Sequence, residues 1–93
     1  MVGSFVLVRT YSAGVHCGRL VSREGRECVL AEARRIWRWR GANTLHEIAL
    51  RGVSEEYTRI SEPVESIMLT EAIEVIRCSA ESIENLIRSR WGE

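Results

Sequence analysis

The chain contains no lysine and no aspartate: its 13 basic residues are all arginine and its 13 acidic residues are all glutamate. Without lysine the chain cannot carry the phosphate-loop motif, whose lysine reaches the phosphates of a bound nucleotide. Without aspartate no histidine can be oriented by an Asp as in a catalytic triad. The nucleophile-elbow motif G-x-S-x-G is also missing. The sequence therefore favours a binding or structural module over an enzyme, with no catalytic residue and no cofactor.

Cysteine is also scarce. Cys17, Cys28 and Cys78 are odd in number, and no C-x-x-C pair occurs. A disulfide scaffold needs an even set, and a zinc site needs paired ligand spacings, so neither fits this chain. We expect reduced thiols that are buried or half-buried, and no bound metal.

Long apolar runs are absent as well. No stretch approaches the roughly 20 residues of a membrane span, and the first ten residues, MVGSFVLVRT, lack the basic region of a signal peptide. We therefore expect no membrane association and a location in the cytoplasm. The 93 residues are enough for a single domain, 1–93, with a small core of its own.

The net charge is zero, but the charges are unevenly distributed. Residues 1–51 hold nine arginines and four glutamates, a balance of +5, and residues 52–93 hold four arginines and nine glutamates, a balance of −5. Neutrality argues against nonspecific nucleic-acid binding, which needs a basic surface. The asymmetry suits self-association or a small anionic ligand held by the basic half. Alternatively, the two halves neutralise each other within one compact fold.

The remaining residues predict an α+β fold with a mostly antiparallel sheet, possibly curled into a small barrel, and two short helices. Period-two alternation and β-branched residues indicate strands. We expect a meander of four strands, at residues 3–10, 15–22, 27–30 and 34–40, and further strands within 58–63, 67–70 and 72–78. Gly18, inside the second strand, predicts a bulge or a close approach of another group. Ser79 should begin the last helix, with Ile83, Leu86 and Ile87 as its apolar stripe.

Residues 34–53, RRIWRWRGANTLHEIALRGV, stand at the centre of this organisation. The arginines and tryptophans of residues 34–40 alternate as on a strand. Thr44 and Glu47 then form a capping box that starts a two-turn helix, which Gly52 ends. Guanidinium groups, indoles and the amides of the helix N-terminus would meet at one corner and could bind an anionic, aromatic ligand.

We predict that any ligand site lies at this corner, with residues 11–16 as a second wall. The candidate binding residues are Tyr11, His16, Arg35, Trp37, Arg38, Trp39, Arg40, Asn43 and Thr44. The alternative interpretation is structural: Trp37 and Trp39 lie in the core, and the arginines face solvent. A second binding hypothesis is a protein–protein interface, because Trp and Arg are enriched among residues that dominate binding energy.

Three segments carry a resemblance to a small uncharacterised domain family encoded by tailed phages and prophages. They are VRTYSAGVH (8–16), ARRIWRWRGANTLHEIA (33–49) and LTEAIEVI (69–76). The resemblance implies a protein acting in the cytoplasm of a bacterial host. By analogy, it suggests a homo-oligomeric protein that sequesters a nucleotide-derived immune signal. A virion or assembly component, or an inhibitor of a host protein, is the alternative.

Overall fold

The computed structural model describes residues 1–92, within which six strands form one antiparallel sheet and two helices pack against it. The predicted α+β class is confirmed. The strands are β1 (Phe5–Thr10), β2 (Val15–Glu24), β3 (Glu27–Arg38), β4 (Arg59–Ile60), β5 (Val64–Leu69) and β6 (Ala72–Arg77), and the helices are α1 (Leu45–Arg51) and α2 (Ala80–Arg88). The sheet order is β4-β3-β2-β1-β6, and β5 pairs with β3 beside β4. β1 is therefore an interior strand, between β2 and β6.

The β2–β3 hairpin is longer than β1 and rolls over it. β1 pairs with β2 only from Val15 to Arg19, so the rest of the hairpin extends past β1. The backbone N–H of Ala72 donates to the carbonyl of Arg26 at the hairpin tip, at 2.9 Å. Since Ala72 pairs with Thr10 at the end of β1, the tip has bent back across the sheet. The sheet is curled, but β5 and β6 do not pair within residues 1–92, and the barrel is not closed.

A β-bulge produces part of this bend. Between Cys17 and Arg19 the register of β3 shifts by one extra residue, and Glu32 adopts φ 52° there. A Cβ at Gly18 would lie 2.9 Å from the carbonyl oxygen of Ala31, so this position admits only glycine without a backbone shift. The close approach expected at Gly18 is confirmed. The two separate strands predicted at 27–30 and 34–40 are wrong: the bulge bends one continuous strand, β3, which ends at Arg38.

The two faces of the sheet bury two separate apolar clusters. The helix-side cluster joins the sheet to α1 and α2 and contains Leu7, Cys17, Ile36, Leu45, Ile48, Ala49, Val53, Ile60, Cys78 and Leu86. The roll-side cluster lies inside the rolled hairpin and contains Val6, Val8, Leu20, Cys28, Leu30, Ala33, Leu69 and Ala72. All three cysteines are buried free thiols, as expected.

Helix α1 begins and ends as predicted. The Thr44 hydroxyl accepts from the backbone N–H of Glu47 at 3.3 Å, and Gly52, at φ 85°, donates its N–H to the carbonyl of Ile48. The Glu47 carboxylate reaches one residue further back than a standard capping box and accepts from the backbone N–H of Asn43 at 3.0 Å.

Helix α2 begins after Ser79, as predicted, but its buried face is partly polar. Of the expected stripe, Leu86 is fully buried, whereas Ile87 is 56% exposed. Asn85 accepts from the N–H of Val53 and donates to the carbonyl of the same residue, both at 2.8 Å. The Ser82 hydroxyl donates to the carbonyl of Ile48. The two helices are therefore joined by side chain–backbone hydrogen bonds. Neither of them is long and apolar enough to cross a membrane.

Candidate functional site

A groove of about 1030 Å³ lies between α2, the start of β1 and the connection from β4 to β5. Its apolar lining includes Phe5, Ile60, Ile83 and Ile87. Ile83 is only partly buried and Ile87 is more than half exposed, so residues 1–92 leave this side of α2 uncovered. A mostly apolar concavity of this size with a few polar groups is the usual form of a binding site.

Arg34 forms part of the wall of the groove and is only 9% exposed. Its Nε donates to the carbonyl of Ser61 at 2.8 Å. Its two terminal nitrogens donate to the carbonyls of Leu86, at 2.7 Å, and Ser89, at 2.5 Å. These carbonyls belong to the end of α2, where helix carbonyls lack intrahelical partners and the dipole favours a cation. Arg34 thus caps α2 from the sheet.

The positive charge of Arg34 has no carboxylate partner among the described residues. Within residues 1–92 the ion pairs are Arg19–Glu32, at 3.7 Å, and Arg88–Glu55, at 3.1 Å. Burial lowers the pKa of Arg34, and the charge of Arg90 nearby lowers it further, while the thiol of Cys17 opposes both. Within the described part of the chain, the groove wall therefore holds a desolvated cation whose partners are backbone carbonyls.

The charged side chains that line the groove, Arg34 included, nearly balance one another. Arg19, Arg34 and Arg90 line it together with Glu32 and Glu62, which leaves an excess of one positive charge. Arg19 already pairs with Glu32. Arg90 uses one terminal nitrogen, which donates to the carbonyls of Ile87 and Ser89 at 2.7 and 3.0 Å.

A pair of exposed indoles adjoins the groove. Trp37 and Trp91 stack with their ring centroids 5.4 Å apart and an interplanar angle of 27°. The guanidinium of Arg59 lies over both rings, at 5.7 and 5.4 Å from their centroids. The two tryptophans are 56% and 55% exposed. Because Trp91 also lines the groove, the indole pair and the groove form one continuous surface.

The predicted arginines and tryptophans do not share one face. Trp37 is exposed, whereas Trp39 packs against the helix-side cluster. A register shift between Ile36 and Arg38 interrupts the alternation, so Arg38 and Arg40 point to solvent rather than following Arg34 inward. The alternative interpretation, with both tryptophans in the core, is thus wrong for Trp37 and holds in part for Trp39. Arg35 is exposed as well.

The helix N-terminus at Asn43 and Thr44 is already occupied. The Glu47 carboxylate accepts from both the backbone N–H and the side-chain amide of Asn43, at 3.0 and 3.2 Å, and these bonds lower the pKa of Glu47. A carboxylate of the chain itself therefore stands where an anionic ligand was expected.

The second predicted wall divides in two. His16 is buried, and its Nε2 donates to the carbonyl of Ala13 at 2.9 Å. His16 on β2 is paired with Arg35 on the neighbouring strand β3. Tyr11 is exposed and lies with Arg26, Glu71 and Ile73 around a smaller cavity where the rolled hairpin meets the β1–β2 turn. His16 and Tyr11 thus face different surroundings, and neither lines the groove.

The groove residues escaped the sequence interpretation because they are far apart in the chain. Phe5, Arg34, Ile60 and Ile83 come from four different elements, and no spacing connects them. One part of the groove had a signal in the sequence. The apolar stripe predicted for the last helix includes Ile83 and Ile87, which line the groove. No three side chains among the described His, Cys and Glu residues form a group that could hold a metal ion.

Comparison with known proteins gives a family without an assigned activity. No curated protein and no solved structure matches the chain. One family model covers residues 3–86, which is most of the sequence. The chain therefore belongs to the family described as Domain of unknown function (DUF6948).

Proposed function

We propose that this domain is a protein–protein interaction module that binds its partner through the groove and the indole pair. The observation that carries the proposal is the stacked Trp37–Trp91 pair with Arg59 above it, more than half exposed beside an apolar cavity. Trp and Arg are the side chains most enriched among binding hot spots, where they act near well-packed pockets. The resemblance noted above supports a phage- or prophage-encoded protein that acts on a host or phage partner inside the bacterial cell.

Affinity capture with matched variants tests this function. Immobilised wild-type protein, Trp37→Ala and Tyr11→Ala would be exposed to the same bacterial lysate, and the bound proteins quantified by mass spectrometry. Both substituted rings are exposed, but only Trp37 belongs to the proposed surface. We expect at least one protein to bind wild type and Tyr11→Ala equally and to be depleted on Trp37→Ala, and then to bind purified wild-type domain directly. Identical capture by all three would contradict the proposal.

A nucleotide-derived signal is the second candidate ligand. Arg35, Arg38 and Arg40 are exposed at the end of β3, where Trp37 also lies, and guanidinium groups bind phosphates while indoles stack on bases. Thermal-shift measurements with cyclic dinucleotides and ADP-ribose derivatives test it, since a ligand at 100 times its Kd adds about 2.7 kcal/mol of stability. We expect the double variant Arg38→Ala/Arg40→Ala to lose any such shift with its melting temperature nearly unchanged. A shift that survives both substitutions would place the ligand elsewhere.

Self-association is part of the proposal. The charge of +5 on residues 1–51 and of −5 on residues 52–93 suits pairing with a second copy, as in symmetric oligomers. Light scattering at micromolar concentration and moderate salt should give a mass above that of the 10.6 kDa chain. A strict monomer would contradict this part of the proposal and leave the binding surface unaffected.

A further inference from the structure

We infer that the groove beside α2 holds an aliphatic peptide segment of the partner protein that carries a single carboxylate. The inference rests on the proposed interaction function and specifies the chemistry of its partner. It follows from the walls of the groove, from their excess of one positive charge and from the scarcity of uncommitted hydrogen-bonding groups there.

The apolar walls determine the body of the occupant. Phe5, Ile83 and Ile87 offer hydrocarbon surface from β1 and α2, whereas Ile60, at 1% exposure, belongs to the buried floor of the groove. Ile87 is 56% exposed although it lies on the side of α2 that faces the cavity. Aliphatic side chains of a partner would remove this surface from water, which is the main favourable contribution at most interfaces.

The cations determine its charge. Arg34 is desolvated and has no carboxylate within ion-pair distance, and the same is true of Arg90 among the described residues. Buried charges are ordinarily paired, because an unpaired charge in apolar surroundings is unfavourable. Arg90 retains uncommitted donors, since only one of its terminal nitrogens is bonded. One carboxylate beside Arg34 and Arg90 would neutralise the excess, whereas a ligand with several phosphates would exceed it.

The hydrogen bonds of the wall argue against a nucleobase in this groove. The Ser61 hydroxyl accepts from the N–H of Arg35 and donates to the carbonyl of Glu62. The N–H groups of Arg34 bond to carbonyls of Ser61 and of the end of α2. Apart from Arg90 and Glu62 at the rim, the polar edges of a base would thus find few partners, and unpaired polar edges reduce affinity. Aliphatic side chains need none.

A displayed library of random heptapeptides tests the inference directly. Selection would be carried out against wild-type protein, with Ile87→Glu and Leu50→Glu in parallel. Ile87 and Leu50 are both 56% exposed and lie near the ends of their helices, but only Ile87 lines the groove. We expect sequences with one Asp or Glu flanked by Leu, Ile or Val to be enriched at least tenfold on wild type and on Leu50→Glu, and not on Ile87→Glu.

A selected peptide then tests the charge. Its Kd would be measured against wild type, Arg90→Gln and the exposed-site control Arg23→Gln, together with a peptide in which the acidic residue is amidated. We expect Arg90→Gln and amidation each to weaken binding about tenfold, and Arg23→Gln to leave the Kd unchanged. Enriched peptides that are basic, or that bind Ile87→Glu as well as wild type, would overturn the inference.

The outcomes separate this inference from the proposed function. Peptides that lose binding with Trp37→Ala but not with Ile87→Glu would support the interaction module and reject the groove as the peptide site. Peptides that depend on Ile87 but not on a carboxylate would support the groove as the peptide site and reject the required carboxylate.

Discussion

The two faces of the sheet are covered in chemically different ways. The roll-side cluster is closed by aliphatic side chains, with Val6, Val8 and Leu30 completely buried by the chain's own hairpin. The helix-side cluster is closed at its edges by polar side chains: Arg34 holds the end of α2, and Asn85 holds the segment after α1. Apolar burial is the main stabilisation of the first face, whereas the second also depends on side chains that satisfy particular backbone groups.

This difference explains where the open surface lies. A rolled hairpin can bring apolar residues from both of its strands over the sheet, and little is left exposed. A helix attached through a few hydrogen bonds at its end and one side leaves its remaining apolar side, with Ile83 and Ile87, facing the groove. The polar attachment of α2 and the candidate binding site are thus two consequences of one arrangement.

Replacing Arg34 should have the largest effect. Arg34→Met keeps most of the length of the side chain but leaves the carbonyls of Ser61, Leu86 and Ser89 without their donor. Each buried unsatisfied group costs about 1–3 kcal/mol, and solvent in the open groove offsets part of this. We expect the free energy of unfolding to fall by about 3–5 kcal/mol in urea denaturation. The exposed neighbour provides the control: Arg35→Met should change it by less than about 0.5 kcal/mol.

The roll-side cluster should tolerate a methionine better than position 34 does. Leu30 is completely buried among aliphatic neighbours, so Leu30→Met should cost less than about 1.5 kcal/mol, whereas Leu30→Ala, which leaves a cavity, should cost about 2–5 kcal/mol. The measurement is again the urea midpoint with an unchanged slope. If methionine were equally damaging at positions 30 and 34, the contrast between the two faces would be wrong.

The N-cap of α1 is a smaller, local contribution to the helix-side face. Thr44→Ala removes the acceptor for the N–H of Glu47 and should reduce the free energy of unfolding by about 1 kcal/mol. Thr44→Ser, which keeps the hydroxyl, is the matched control and should lie close to wild type. An unchanged denaturation midpoint for Thr44→Ala would show that the Glu47 carboxylate alone is enough to start the helix.

Sequence patterns predicted those parts of the fold that local chemistry determines. Both helix starts follow from the hydroxyl of the capping residue, and the strands follow from alternation. The close approach at Gly18 was also readable, because only a residue without a side chain fits there. The continuity of β3 could not be predicted from the sequence. Glu32 adopts a positive φ within the strand, and nothing in the local sequence demands it.

The candidate site could not be predicted in the same way. Arg34 has the sequence context of a solvent-facing arginine, and its burial depends on carbonyls of residues 86 and 89, more than fifty positions later. The indole pair likewise joins Trp37 to Trp91, more than fifty positions later. Such pairings are decided by the tertiary fold, and a single sequence carries no periodic signal for them.

The last prediction uses pH to separate the two faces. His16 lies on the roll side, opposite Val8. Burial lowers its pKa below the ordinary value of 6.5, as does the charge of Arg35, although the hydrogen bond to the carbonyl of Ala13 acts in the other direction. The folded protein thus binds fewer protons than the unfolded chain below about pH 6.5, and stability falls as the pH falls. This loss is nearly absent at pH 7.5, where the ring is mostly neutral in both states.

His16→Gln isolates the effect of this one group. We expect the urea midpoint of the wild type to decrease between pH 7.5 and pH 5.5, and that of His16→Gln to decrease less, whatever the stability of the variant at pH 7.5. The window lies above the ordinary glutamate pKa of 4.5, so carboxylates contribute little to the difference. The exposed His46 supplies a matched substitution, His46→Gln, against which the change in His16→Gln is compared. If His16→Gln retained the full wild-type pH dependence, the protonation that destabilises the fold would have to occur outside the roll-side face.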